Sequence, residues 1–193
     1  MNNLKKQMLL IVTAKMTNER FLEWVQEGEW DYLARGEYRC RHFSIKELVD
    51  SPTLVALGEE GCWALFDVES LIALDWLRVT FGRTTVNGGH FTESGFRTVH
   101  SEYYSKKSMH SVGRAFDCKF LKFTAMEARS VIISKIRNGE FVPSAIRRME
   151  NHVNWLHFDN KVQLNGFEDR WITDPLGNKV CYLFQVAPKE KEA

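Results

Sequence analysis

Two histidines and one aspartate are the side chains of this sequence whose types and spacing could do metal chemistry. His110 and Asp117 stand seven positions apart in "SMHSVGRAFD", and His157 follows forty positions later in "WLHFD". Two imidazoles and one carboxylate are a suitable ligand set for zinc, and they leave the fourth tetrahedral position for water. Zinc lowers the pKa of its bound water to about 7 and polarises a carbonyl group. A site of this kind favours hydrolysis of an amide or ester over redox chemistry.

A histidine and an aspartate at this spacing are weak evidence by themselves. The alternative to a metal site is a core histidine and a surface acid that share a short stretch by coincidence. His157 strengthens the metal interpretation, because it supplies a third ligand from a second predicted strand.

Two predicted strands would bring these side chains together. In "RAFDCKFLKF", Asp117 lies on the face opposite the large apolar side chains, and in "VNWLHFDN" His157 shares the polar face with Asp159. If the apolar faces pack against helices, Asp117 and His157 project from the open face of one sheet. His110 lies on the loop that enters the first strand, so the three side chains could converge.

Four stretches have the apolar spacing or the capping residues of helices. They are residues 18–34, "HFSIKELVDS" with a break at Pro52, residues 67–81, and "TAMEARSVIISKIRNG". We expect 67–81 to be the main core helix, because its apolar residues recur at helical spacing and Gly82 is a natural stop. These elements predict an α+β fold: a small antiparallel sheet with helices packed on one face and the metal site on the other.

The remaining segments complete the predicted organisation. Residues 88–109 are loop-rich, and an irregular region of this length in a compact domain is usually functional. "DPLGN" predicts a final hairpin whose returning strand is "KVCYLFQV". We therefore divide the chain into a helical extension over residues 1–40, a main domain over 41–187 and a frayed tail over 188–193.

The composition excludes several classes of protein. With 44% apolar and 26% charged residues, the 193-residue chain is ordinary for a soluble globular protein. Its net charge of +1 gives no overall field toward nucleic acid or a membrane surface. The four cysteines have no CxxC spacing, so we interpret them as reduced core residues of a protein that folds in a cytoplasm. "MLLIVTA" is too short for a membrane span, and we interpret it as a strand or buried segment and not as a signal peptide.

Three short motifs resemble those of the zinc D-Ala-D-Ala peptidase family, which cuts the peptide part of bacterial peptidoglycan. "SMHSVGRAFDC" resembles the S-x-H-x-x-G-x-A-x-D signature, and "WLHFD" resembles the later segment that supplies the last histidine. "SGFR" resembles the S-G-[YFL]-R element that precedes the first ligand. The order of the motifs matches the family, and the similarity is closest to phage-encoded members. The resemblance covers residues 42–160 and implies the D,D-peptidase/hedgehog-like form of the α+β fold.

The resemblance implies a role for each matching position. His110, Asp117 and His157 would be the three zinc ligands, which makes Zn²⁺ the implied cofactor. Arg97 would bind a substrate carbonyl or carboxylate and stabilise the oxyanion, and its alternative role is a surface salt bridge. Ser108 would lie beside the substrate, with hydrogen bonding inside the loop as the alternative.

Two further positions have structural roles in this interpretation. Gly113 would permit a tight backbone turn between the first two ligands. Asp159 would orient a ligand histidine, unless it is a solvated acid at the end of a strand.

One position departs from the family pattern. Many members carry Glu or Asp three residues before the last histidine as the general base, and this chain has Asn154 there. A carboxamide cannot accept a proton from water, so His152 and Glu150 become the candidate bases. An imidazole suits proton transfer, although a surface or packing role for His152 is the plain alternative. In a regular strand His152 would face away from His157, and Glu150 would need a turn toward the metal.

The sequence therefore predicts a zinc metallopeptidase that hydrolyses peptidoglycan stem peptides or cross-links. A phage origin would make it a lysin or a virion-borne protein that acts at the bacterial wall after release from the host cytoplasm, with virion proteins as further partners. The alternative motivated by Asn154 is a catalytically degenerate virion or wall-binding protein on the same fold. A third possibility is a zinc amidase with a different substrate. Nucleic acid and membranes are not expected partners.

Overall fold

The computed structural model describes residues 16–28, 30–88, 92–161 and 170–174, together with the backbone of 179–184. The fold is α+β. Its helices are α1 Asn18–Glu27, α2 Ser51–Trp63, α3 Val68–Phe81 and α4 Ala125–Arg137, with single 3-10 turns at Ile45–Glu47 and Met109–Val112. Its strands are β1 Thr84–Thr85, β2 Ala115–Phe120, β3 Arg148–Glu150, β4 Leu156–Asp159, β5 Arg170–Thr173 and β6 Lys179–Phe184.

The two helices nearest the site begin and end at the residues that the sequence predicts. The side chain of Asp67 accepts a hydrogen bond from the Ser70 amide at the start of α3, and Gly82, with φ of 75°, ends that helix. A capping box joins Thr124 and Glu127 at the start of α4. Local capping therefore fixes the limits of both helices before any tertiary packing is considered.

Two helix predictions were wrong in detail. Helix α1 ends at Glu27 and does not continue to residue 34, because Gly28 adopts the left-handed conformation with φ of 71°. The predicted helix in "HFSIKELVDS" is only the 3-10 turn Ile45–Glu47. Pro52 instead lies in the first turn of α2, where its missing N–H would be unpaired in any case. Helix α2 was not predicted from the sequence, and it is kinked at Gly58 with φ of 65° and ψ of 175°.

The sheet is mixed, so the prediction of an antiparallel sheet was wrong. Its strand order is β1-β2-β4-β3-β5-β6, and every neighbouring pair is antiparallel except β3 and β5. The difference comes from β3, which lies between β4 and β5 and was not predicted from the sequence. Three residues are too few to show the alternation that identifies a strand. Strand β3 runs antiparallel to β4, and β5 runs parallel to β3 on its other side.

Helices α3 and α4 pack against one face of this sheet, as predicted. Buried apolar side chains of the strands, among them Phe116, Phe158 and Ile172, point to that face. The ring of Phe116 stacks on Phe66 at 5.4 Å and contacts Phe158 at 5.7 Å. The opposite face is less open than predicted, because side chains of the loop before β2 lie over it. Arg97 donates to Asp117 Oδ2 at 2.7 Å, and His110 Nε2 lies 3.4 Å from the same oxygen.

The described part of the predicted N-terminal extension packs into the same core as the rest of the chain. Phe21 and Trp24 of α1 are at most 1% exposed, and α1 lies against α3. Tyr38 donates to the buried carboxylate of Asp75 on α3 at 2.7 Å. The segment over residues 16–40 is therefore one hydrophobic unit with the helices that follow it.

The final hairpin is confirmed in its strands. β5 and β6 pair antiparallel, and β6 lies within the predicted stretch "KVCYLFQV". The turn "DPLGN", the predicted tail over 188–193 and the segment "MLLIVTA" lie wholly or mostly outside the described residues. Cys40, Cys62 and Cys118 are free thiols, as expected. Within the described part of the chain, none of the helices has the length and apolar character needed to cross a membrane.

Candidate metal centre

The three predicted metal ligands lie together in the structure. His110 comes from the 3-10 turn Met109–Val112, Asp117 lies within β2, and His157 is directly opposite Asp117 on β4. Each residue offers a ligand atom within 4.8 Å of the others, and their exposed fractions are only 2%, 4% and 4%. Antiparallel pairing thus places two ligands side by side, and the turn supplies the third from above the sheet.

A backbone carbonyl orients the ring of His110. Its Nδ1 lies 2.8 Å from the carbonyl oxygen of Gly95, which can only accept, so Nδ1 carries the proton. The other nitrogen, Nε2, faces the cluster and lies 3.4 Å from Asp117 Oδ2 and 3.4 Å from His157 Nδ1. Histidines that bind metals usually have their second nitrogen fixed in this way.

His157 faces the cluster through its Nδ1 atom. Its Nδ1 lies 2.7 Å from Asp117 Oδ1, while its Nε2 lies 2.9 Å from Asp159 Oδ2. Asp159 is fully buried and also contacts Arg148. The position predicted to orient a ligand histidine therefore lies beside one.

The spacing of these atoms fits a tetrahedral metal site. Metal–nitrogen bonds of roughly 2.0–2.1 Å place neighbouring ligand atoms about 3.3 Å apart. His110 Nε2 meets this spacing to both of its partners, at 3.4 Å each. The Asp117–His157 distance of 2.7 Å is shorter because these two groups hydrogen-bond directly. The buried group can therefore hold a metal ion.

Mutual attraction dominates the electrostatics of the cluster. Burial disfavours the charged form of His157, but hydrogen bonds to Asp117 and Asp159 outweigh it and raise the pKa of His157 to about 10. Burial likewise opposes ionisation of Asp117, yet the charge and hydrogen bonds of His110 and His157 hold its pKa well below the usual range. A metal ion bound here would take the place of protons shared among these groups.

Arg97 and Ser108 lie beside the ligands. Arg97 donates from Nη2 to Asp117 Oδ2 at 2.7 Å and from Nε to the carbonyl of Glu93 at 2.7 Å. Ser108 Oγ accepts from the backbone amide of His110 at 3.3 Å and caps the 3-10 turn. Both side chains also line the cleft, so each combines a structural contact with access to a bound molecule.

Gly113 makes the turn between the first two ligands, as predicted. Its φ of 69° is in the left-handed region, and a Cβ at this position would lie 2.0 Å from the carbonyl oxygen of Leu65. The position therefore requires glycine for two independent reasons, its backbone conformation and its close approach to a neighbouring segment.

The ligands form part of the wall of a cleft of about 620 Å³. Its lining includes the aromatic side chains of Tyr103 and Trp155 and the carboxylates of Glu93, Glu102 and Glu150. The cleft is large enough for a small ligand or a short peptide segment, and it places polar groups around the metal cluster.

The candidate bases differ in position. Glu150, on β3, lines the cleft with its Oε1 4.0 Å from His157 Nε2. His152 is exposed, has a φ of 59°, and is absent from the described residues that line the cleft. Asn154 lies in a separate pocket beside Arg129. The structure thus brings Glu150 to the cleft and leaves the other two outside it.

Arg129 shapes the segment between β3 and β4. From α4 its guanidinium donates to the carbonyls of Trp155 at 3.1 Å and Val153 at 3.2 Å. Residues 151–155 therefore form a bend and not a regular strand. Neither this anchor nor Arg148 was predicted from the sequence, because the three residues of β3 are too few to show the alternation that identifies a strand.

The fold and the site define an α+β protein with a buried two-histidine, one-aspartate group in the wall of a cleft. No family model, curated protein or solved structure matched this chain in comparisons with known proteins.

Proposed function

We propose that this protein is a phage-encoded zinc peptidase that hydrolyses peptide bonds in the stem peptides or cross-links of bacterial peptidoglycan. The observation that carries the proposal is the convergence of His110 Nε2, an Asp117 oxygen and His157 Nδ1 in the wall of a cleft. The mixed nitrogen and oxygen donor set suits zinc. The substrate class comes from the resemblance of the motifs to the zinc D-Ala-D-Ala peptidase family.

Zinc at this site would supply a Lewis acid for a carbonyl and lower the pKa of a bound water to about 7. The protein's own groups would handle charge and protons. Glu150, one of the carboxylates that line the cleft, would accept the proton, because a carboxylate can do so where the carboxamide of Asn154 cannot. Arg97 carries a permanent positive charge at the rim of the cluster, where it would stabilise negative charge on a substrate oxygen.

A non-hydrolytic protein that binds the cell wall or a virion is the second candidate. Two observations favour it: Asn154 replaces the usual acid, and Arg97 is already bonded to Asp117 and to a backbone carbonyl. We prefer the peptidase because Glu150, on β3, lines the cleft and would offer a carboxylate in place of the acid that Asn154 replaces. Action at the bacterial wall, as a lysin or from a virion, belongs to the same proposal.

The test is metal-dependent cleavage of purified muropeptides, followed by mass spectrometry. We expect new products with the zinc-loaded protein, loss of products after chelation, and recovery when zinc is restored. His157→Ala should abolish cleavage, whereas His100→Ala should retain it, because His100 is exposed and outside the described lining of the cleft. A protein that binds zinc without cleaving any muropeptide would instead support the binding function. Cleavage that survives both chelation and His157→Ala would contradict the zinc mechanism.

A further inference from the structure

Arg148 is a cleft residue that neither the motifs nor the spacing of the ligands singled out. It begins β3 and stands directly opposite Asp159 of β4 in the antiparallel register. Its Nε donates to Asp159 Oδ2 at 2.6 Å, and its Nη2 contacts the same oxygen. The Arg148 side chain is 14% exposed and that of Asp159 is fully buried.

Asp159 is held at both of its carboxylate oxygens. Oδ2 receives Arg148 and faces His157 Nε2 at 2.9 Å, while Oδ1 accepts the backbone amide of Lys161 at 3.0 Å. A carboxylate oxygen that already accepts a guanidinium N–H has only acceptor capacity to offer the imidazole. His157 must therefore donate from Nε2, which leaves Nδ1 facing His110 and Asp117.

The two ligand histidines are oriented by different means. A backbone carbonyl, that of Gly95, fixes His110 and is unaffected by most side-chain substitutions. His157 depends on a side chain, Asp159, which in turn depends on Arg148. Removing the outer member of this chain should therefore disturb one ligand and leave the other in place.

We propose that Arg148 is a positioning residue that acts through Asp159 to present Nδ1 of His157 to the metal. The inference rests on the metal binding that the proposed function assumes, but it does not require hydrolysis. Because Arg148 also lines the cleft, a direct contact with substrate is the competing role. Metal affinity measured without substrate separates the two roles, since only the positioning role affects it.

The experiment measures zinc affinity by competition with a chromophoric chelator. Arg148→Gln should weaken zinc binding about 10- to 100-fold, the usual effect of losing a group that orders a ligand. Arg148→Lys, which keeps a donor and the charge, should recover part of the loss. The matched control is Arg147→Gln, because Arg147 bonds to Asn160 Oδ1 at 2.9 Å and is outside the described cleft lining; its affinity should be unchanged.

The inference is overturned if Arg148→Gln binds zinc as tightly as the wild-type protein. It is also overturned if Arg147→Gln loses as much zinc affinity as Arg148→Gln. Heteronuclear NMR of the histidine rings in the zinc-loaded wild-type protein provides a test that needs no variant. We expect His157 to be bound through Nδ1 and protonated at Nε2, and the reverse arrangement would contradict the inference.

The outcomes also distinguish this inference from the proposed function. A protein that binds zinc, loses affinity in Arg148→Gln and cleaves no muropeptide contradicts the peptidase and supports the positioning role. If the protein cleaves muropeptides and Arg148→Gln leaves its zinc affinity unchanged, the result supports the peptidase and contradicts the positioning role. Failure of the wild-type protein to bind zinc overturns both.

Discussion

At the residue scale, the proposed hydrolysis needs a side chain that accepts a proton in the cleft, and Glu150 and His152 are the two candidates. Glu150 is the last residue of β3 and faces the cleft, with Oε1 4.0 Å from His157 Nε2. His152 adopts a φ of 59°, which turns the chain away from a regular strand. Of the two candidates, the structure therefore favours the carboxylate.

We predict that Glu150→Gln lowers the turnover of a muropeptide about 10²- to 10⁴-fold, because the amide cannot accept a proton. Zinc content should be unchanged, since Glu150 is not one of the three clustered ligands. Steady-state kinetics combined with a metal assay checks both expectations.

The paired variant is His152→Gln, which should retain near wild-type turnover because the exposed imidazole lies outside the described cleft lining. If His152→Gln shows the large loss and Glu150→Gln does not, the assignment is reversed and the segment over residues 151–155 must rearrange when substrate binds.

At the element scale, the turn between the 3-10 helix and β2 sets the separation of His110 and Asp117. Gly113 makes this turn in the left-handed conformation, and its carbonyl accepts the Asp67 amide at 3.0 Å at the start of α3. The same turn therefore positions two ligands and docks the main core helix. A side chain at this position would push against the backbone at Leu65 and not against a movable group.

We predict that Gly113→Ala destabilises the protein by about 3 kcal/mol, as the sum of left-handed strain and a steric clash. Gly139→Ala is the matched control, because Gly139 has a φ of 70° but no atom lies within 4 Å of the position that a Cβ would take. It should cost only about 1–2 kcal/mol, the strain alone. Urea unfolding of both variants measures the difference, and equal losses would show that close packing at Gly113 contributes nothing.

At the scale of the whole molecule, a buried carboxylate joins the N-terminal segment to the main core helix. Asp75 on α3 is fully buried and accepts hydrogen bonds from Tyr38 Oη at 2.7 Å and from the amides of Arg41 at 2.7 Å and His42 at 3.1 Å. Burial raises the pKa of Asp75 to about 6, although these hydrogen bonds oppose the shift. The ionised form therefore costs stability at neutral pH.

We predict a pH dependence of stability that Asp75→Asn removes. In the folded state the pKa is about 6 against an ordinary value of 3.8, so between these values the folded protein binds more protons than the unfolded chain. The free energy of unfolding must then fall as pH rises through this window, by up to about 3 kcal/mol, and become flat above it. Wild-type minus variant stability, from urea unfolding at several pH values, should follow this curve.

Asp75→Asn should also carry a pH-independent loss of about 1–3 kcal/mol, because its amide group cannot accept all three donors. That loss shifts the difference curve without changing its slope. A difference that is constant with pH, or that rises from pH 4 to 6, would contradict the buried, raised-pKa state of Asp75.

Much of the site could be predicted because it depends on local periodicity. A strand alternates its side chains with a period of two, so the sequence alone assigned Asp117 and His157 to one face and Phe116 and Phe158 to the other. The limits of α3 and α4 were equally predictable, since capping residues act on their own backbone neighbours. The turn role of Gly113, in contrast, came from the resemblance of the motifs to the zinc D-Ala-D-Ala peptidase family.

The features that depend on contacts between distant segments could not be predicted from local periodicity. β3 has three residues, so its insertion between β4 and β5, and with it the place of Arg148, depends on pairing with distant strands. The choice of Glu150 over His152 depends on a bend that Arg129 holds from another helix. Sequence thus determined which side chains could bind a metal, because that follows from residue type and strand period. Only the packing of separate elements decided which groups orient the ligands and face the cleft.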